Sequence, residues 1–160
     1  MSKAILIQNF PLPPSENQLY RNLPRVGRVA TKELQNYRRE CEMWGMVNKN
    51  FKEIFFSFMD EHPNHVLKID FYFVFKRERL WTKDNRPKKL DASNRIKAAS
   101  DQLAKFFGID DKCFFSVSSE KVSGENECCI IFITPITPMS SVEILNNFKE
   151  GSEEESEAIQ

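Results

Sequence analysis

The sequence predicts an α+β domain: a small mixed or antiparallel sheet carrying two main helical segments. Three observations predict it. Val66–Phe75 (VLKIDFYFVF) is rich in β-branched and aromatic residues in partial alternation, which fits a pleated, half-buried strand. Residues 94–107 repeat at the helical period, with Ile96, Ala99, Leu103, Phe106 and Phe107 on one side and Asn94, Lys97, Asp101 and Lys105 on the other. Two more strand-like runs, 114–122 and 128–134, flank Ser123-Gly124-Glu125-Asn126, whose turn chemistry predicts a hairpin between them.

Taken in order, residues 3–10 (KAILIQNF) form a first strand that Pro11-Leu12-Pro13-Pro14 stops, because proline fixes φ and removes a backbone donor. Residues 20–32 hold Arg21, Arg25, Arg28 and Lys32 around Pro24 and Gly27 without a sustained period, and read as a basic loop. Thr31 is a good N-cap for a helical pattern through Leu34, Tyr37, Cys41 and Trp44. Gly45 weakens that pattern, so residues 31–59 read as either one kinked helix or two. His62-Pro63-Asn64-His65 ends it, and Pro63 prevents a regular helix from aiming both histidines at one metal. After the strand at 66–75 comes a basic run with Lys76, Arg77, Arg79, Lys83, Arg86, Lys88 and Lys89. The central helix spans residues 92–107. Pro135 and Pro138 end the last strand, and Val142, Ile144, Leu145 and Phe148 mark a short helix over 139–148. Residues 1–138 are read as the domain and 139–160 as a C-terminal extension, disordered at its acidic end.

Composition bounds the function. At 160 residues, with 41% hydrophobic and 29% charged, the chain can bury a core without metal or disulfide staples. The net charge is zero, but Glu150, Glu153, Glu154, Glu155 and Glu157 offset a basic body, so a polyanionic partner is not excluded. Cys41, Cys113, Cys128 and Cys129 lack CxxC spacing and read as free thiols in a reducing compartment. No signal-peptide layout and no apolar run of roughly 20 residues is seen, which gives a cytoplasmic expectation.

Four stretches together resemble one family. Pro11-Leu12-Pro13-Pro14-Ser15-Glu16-Asn17-Gln18-Leu19-Tyr20 is similar to a Pro-Pro-Ser-x-Asn-x-x-Tyr opening. Asp91-Ala92-Ser93-Asn94-Arg95-Ile96-Lys97 is similar to Asp-x-Asp-Asn-x-x-Lys, with serine at the second acid. Ala98-Ala99-Ser100-Asp101-Gln102-Leu103 continues the helix, and Ile109-Asp110-Asp111 closes the pattern. In order and spacing these resemble the RusA family of Holliday junction resolvases, small dimeric Mg2+-dependent endonucleases, over most of the chain up to about Thr134. The resemblance implies that fold, a homodimer, branched DNA as partner and Mg2+ as cofactor. It implies Asp91 and Asp111 as catalytic metal ligands, Ser93 at the third ligand position and Lys97 as a catalytic lysine.

The chemistry is consistent with those residue types. Phosphodiester hydrolysis needs hydroxide near neutral pH and relief of negative charge, which a carboxylate-held Mg2+ supplies. A serine brings no charge to the third position, and Asp110 or Asp101 is the acid expected to compensate. Blander roles exist for each residue: Asp91 as a helix cap, Asp110-Asp111 as a helix-ending turn, Lys97 as a solvated charge. Arg28, Arg86, Lys88, Lys89 and Arg95 are the expected contacts to DNA phosphates. Trp81 either packs or stacks on unpaired bases, with packing the favoured role. A homodimer would match the two-fold symmetry of a four-way junction. Two rivals remain: a branched-DNA-binding protein whose catalysis Ser93 has weakened, and an interaction domain that uses the acidic tail.

Overall fold

The computed structural model describes residues 4–63 and 65–147. Lys3, Asn64, Phe148 and the acidic segment expected to be disordered lie outside them. The fold is α+β. Strands β1 (Ile5–Phe10), β4 (Val66–Phe75), β5 (Phe114–Ser123) and β6 (Cys128–Ile136) form one mixed sheet in the order β1-β6-β4-β5. β6 runs antiparallel to β1 and β4, and β5 runs parallel to β4. A second sheet holds only β2 (Tyr20–Leu23) and β3 (Gly27–Ala30).

Alternation in the central strands builds the core. Leu67, Ile69, Phe71, Phe73 and Phe75 of β4, with Ile131 and Ile133 of β6 and Ile5 and Ile7 of β1, are buried on one sheet face. Lys68, Asp70 and Tyr72 point to the other. There Asp70 accepts a hydrogen bond from Ser118 at 2.6 Å, and Tyr72 meets Phe132 edge-on. Helices α1 (Lys32–Val47), α2 (Asn50–Glu61) and α4 (Ile96–Phe107) complete the core on the apolar side. Phe55 of α2 stacks on Phe107 of α4 at 4.1 Å, and Trp44 of α1 touches both Phe10 and Phe106. Thr31 caps α1 by accepting from the Leu34 N–H at 3.2 Å. Residues 31–59 make two helices rather than one kinked helix. Gly45 lies inside α1, and the break falls at Asn48 and Lys49.

Three expectations are corrected. The residues 20–32 are not a loop but the β2–β3 hairpin, turned by Pro24 and by Arg25 at φ 64°, with Val26 N–H bonded to the Leu23 carbonyl. Pro24 followed by positive φ is what a type II turn requires. Second, the last strand does not stop before Pro135: that residue pairs with Leu67, and among the described residues the pairing of β1 with β6 reaches Ile133.

Third, β5 and β6 do not form a hairpin. β4 lies between them, because the most apolar strand gains a partner on each edge that way. Residues 124–127 therefore cross the end of β4, a span of two strand spacings, roughly 10 Å, which four residues cover. Gly124 N–H bonds the Phe75 carbonyl at 3.0 Å. A Cβ on Gly124 would lie 2.5 Å from Val74 Cγ1. Gly124→Ala is accordingly expected to lower stability by about 1–3 kcal/mol, read from urea denaturation. An unchanged midpoint would show that the crossing is loose.

The parallel β4–β5 pair demands a crossover, and residues 76–113 supply it. It holds the short helix α3 (Arg77–Leu80), a basic hairpin over 81–87, a 3₁₀ turn at Ser93–Arg95, α4, and a second 3₁₀ turn at Asp111–Cys113. Every candidate acid lies in this connection. After β6, residues 141–147 are helical (α5), opened by a reciprocal box in which Ser140 Oγ and Glu143 bond each other's backbone N–H.

Candidate active site

The start of α4 is flanked by Asp91 on one side and reached by Asp111 through Lys97 on the other. Asp91 precedes the 3₁₀ turn, and its Oδ1 accepts both the Ser93 backbone N–H at 3.0 Å and the Ser93 hydroxyl at 2.7 Å. The Ser93 hydroxyl bond, then the local backbone donors and the nearby Lys121 charge, hold the Asp91 carboxyl below the usual range. Asp91 is thus a cap of the turn and an exposed, ionised carboxylate at once. Lys121, on β5, donates to the Leu90 carbonyl at 2.9 Å and fixes the residue before Asp91 against the sheet.

Lys97 lies in the first turn of α4. Its Nζ stands 2.6 Å from Asp101 Oδ1, one turn further along the helix, and 3.7 Å from Asp111 Oδ2. The bond to Asp101, with the Asp111 charge added, raises Lys97 above its ordinary value, so it is fully charged at neutral pH. Gly108, in the left-handed region at φ 71°, ends α4 and turns the chain back. That reversal carries Asp111 from beyond the helix C-terminus to a residue in its first turn. Asp110 does something else: it caps the second 3₁₀ turn by accepting from Lys112 N–H at 3.0 Å, which lowers its pKa. Of the two acids considered as substitutes for a charge at Ser93, Asp101 therefore joins the Lys97–Asp111 group and Asp110 is engaged locally.

The donor set suits a hard dication in kind. Asp91, Asp111, Asp101 and Ser93 offer oxygen only, and Mg2+ is commonly held by one or two carboxylates plus substrate phosphate and water. Among the described residues no group of three or more His, Cys, Asp or Glu converges as a complete cage.

Around this site the basic residues divide. Arg86 and Lys89 are exposed in the segment that leads to Asp91, as is Lys88, whose Nζ donates to the Glu78 carbonyl at 2.6 Å. Arg28 is exposed on β3 with its guanidinium 4.2 Å from the Tyr20 ring centroid. Arg95 departs from expectation: it is only 7% exposed and donates to the Pro13 carbonyl. Its guanidinium lies 5.0 Å from the Phe75 ring, and Arg79 approaches the same ring at 5.1 Å. Burial, then repulsion from Arg79, lowers the Arg95 pKa. Arg95 ties the proline-rich turn to the acid-bearing segment instead of facing solvent. Glu127 joins the cluster, pairing with Arg79 at 2.9 Å.

The matched region encloses this whole site: the family model described as endodeoxyribonuclease RusA matches residues 11–134. The chain belongs to that family. RusA-family membership makes it a relative of DNA-cleaving enzymes, and the match runs from the Pro11 turn, which Arg95 anchors, to Thr134 in β6. No curated protein matches the chain. No helix of the described residues is long and apolar enough to cross a membrane.

Sequence reasoning missed Lys121 and Glu127 as neighbours of the site. The Lys97–Asp101 contact was visible as i, i+4 spacing. Lys121 was not, because its position follows from β5 pairing in parallel with β4.

Ser93→Ala is expected to move the Asp91 titration upward, measured by carboxyl NMR. The sign follows from a depressed folded-state pKa: the bond's stabilisation is present above the unfolded carboxyl value and is lost as pH falls through the folded one. In the alanine variant that acid-side loss shrinks. An unshifted Asp91 would mean that the hydroxyl bond contributes nothing in solution.

Proposed function

We propose that this RusA-family chain is a structure-selective DNA endonuclease that resolves four-way (Holliday) junctions in recombination and repair by Mg2+-dependent hydrolysis, as a cytoplasmic homodimer. The observation that carries the reading is the return of Asp111 onto Lys97 in the first turn of α4, just past Asp91, inside the family match. Asp91 and Asp111 would hold Mg2+, with the Ser93 hydroxyl beside them. The bound dication supplies activation of water and neutralisation of phosphate charge.

The chain's own residues prepare that chemistry. Ser93 keeps Asp91 ionised by donating to it, and Asp101 holds the Lys97 ammonium beside Asp111. A fixed cation there stabilises negative charge that develops on phosphate or leaving oxygen. Exposed Arg28, Arg86, Lys88 and Lys89 bind the phosphate backbone, giving affinity that falls steeply with salt.

A second reading is favoured by one observation. Ser93 spends its proton on Asp91, where the family pattern has a second carboxylate, so the chain would bind branched DNA while cutting it weakly.

A labelled four-way junction incubated with Mg2+ separates the two. The nuclease reading expects paired nicks by the parent protein and faster cleavage by Ser93→Asp. In that variant a second carboxylate replaces a neutral hydroxyl. A unit charge 4 Å from another is worth about 1 kcal/mol in water, so a dication gains on the order of tenfold in affinity. Tight binding without nicking, in Mg2+ and in Mn2+, would leave only the binding protein.

A further inference from the structure

Resting on the DNA-nuclease reading, we propose that the hairpin at residues 81–87 reads the branch point, with the Trp81 indole stacking on a base exposed there. The hairpin is well built. Trp81 and Pro87 form an antiparallel bridge, Thr82 N–H bonds the Arg86 carbonyl at 2.8 Å, and Lys88 N–H bonds the Leu80 carbonyl at 2.7 Å. Asn85 takes φ 57° at the tip, where Arg77 donates to its side chain, and Arg86 N–H bonds Thr82 Oγ1 at 3.0 Å. So many local bonds hold a loop in one shape without help from the core.

What that shape presents is unusual. Trp81 is 37% exposed and stands outside the buried cluster, and Pro87 beside it is exposed too. An indole that is more than one third exposed, outside the buried cluster, keeps part of its flat apolar face available to a ligand. Around it, residues 76–90 hold seven basic side chains against two acidic ones. The surface therefore fits a polyanion that also has a π-face to offer.

Branched DNA is such a ligand, and a continuous duplex is not. Inside a duplex every base is covered by its neighbours; at a branch the terminal pair of an arm is exposed or readily unstacked. Aromatic stacking is indifferent to sequence, since every base has a π-face. Lys83 and Arg86 contact phosphate in any DNA, so they supply affinity without telling the two apart. The indole is the element that distinguishes them. Asp91 follows Pro87 by four residues, at most about 14 Å of extended chain. Stacking and cleavage would then fall within a few nucleotides of one another.

The test compares binding of the full-length protein to a four-way junction and to linear duplex of the same sequence, in EDTA, with 2-aminopurine placed at the branch. The parent is expected to prefer the junction and to change the 2-aminopurine emission. Trp81→Ala should lose roughly tenfold in junction affinity, while duplex affinity and its salt slope stay put. Trp81→Phe should retain most of the preference. Lys83→Ala with Arg86→Ala should weaken both DNAs alike. A junction preference that survives Trp81→Ala overturns the assignment, as does an equal loss on both DNAs with a lowered melting temperature, which would make Trp81 merely structural. A parent protein that binds neither DNA would instead overturn the DNA reading itself, and this assignment with it.

Discussion

Asp111→Asn is expected to reduce junction cleavage by about 10²–10³-fold while junction binding in EDTA changes little. The side chain keeps its shape and loses its charge, so the change isolates electrostatics. Two things depend on that charge. One, on the proposed reading, is the hold of Asp91 and Asp111 on a dication against the phosphate. The other is the restraint on Lys97, whose ammonium stands 3.7 Å from Asp111 and 2.6 Å from Asp101. With Asp111 neutral, Lys97 remains charged, because its closer partner is untouched and its raised pKa lies far above neutrality. Cleavage by the variant should therefore be slow at all pH values from 6 to 9 rather than rescued at one end. Activity equal to the parent would remove Asp111 from the reaction.

The second large effect concerns stability. Arg95→Ala is expected to cost about 2 kcal/mol, because it leaves the buried Pro13 carbonyl without its donor and strips the packing from Phe75. The same variant should leave the salt dependence of DNA binding unaltered, since a buried guanidinium releases no counterions. Lys89→Ala, on an exposed residue two positions before Asp91, should do the reverse: it reduces the salt slope by about one and leaves the denaturation midpoint in place. Urea denaturation and a salt titration of junction binding decide both. A stable Arg95→Ala with a shallower slope would return Arg95 to the DNA surface.

Arg95 also shows where sequence reading stops. A lone arginine between asparagine and isoleucine is exposed by residue-type habit, and nothing local announces its partner, a carbonyl 82 positions earlier. The same division runs through the fold. Val66–Phe75 was legible to the residue because its own alternation specifies a strand, and Thr31 was legible as a cap because capping is local. The β2–β3 hairpin escaped notice because four-residue strands are too short to show a period, although Pro24 and Gly27 marked the turn. Ser123-Gly124-Glu125-Asn126 has good hairpin chemistry, yet the need of β4 for two neighbours overrode it. In the site, the motif around Asp91 and Lys97 was readable as a pattern. That Ser93 donates to Asp91, and that Asp101 rather than Asp110 joins Lys97, depends on side-chain directions that only the folded chain fixes.

The parallel pairing of β4 with β5 has a consequence in time. These strands meet only after residues 76–113 have closed into the crossover, a non-local step that comes late because its loop entropy is lost before its contacts form. Asp91, Lys97 and Asp111 all ride on that connection, and Lys121 of β5 bonds it at the Leu90 carbonyl. A chain still emerging, or one that has let β5 peel from the sheet edge, has the acids without their arrangement. On the proposed nuclease reading, cutting capacity would be gated by completion of the sheet, so that the site is armed only when the chain is fully folded.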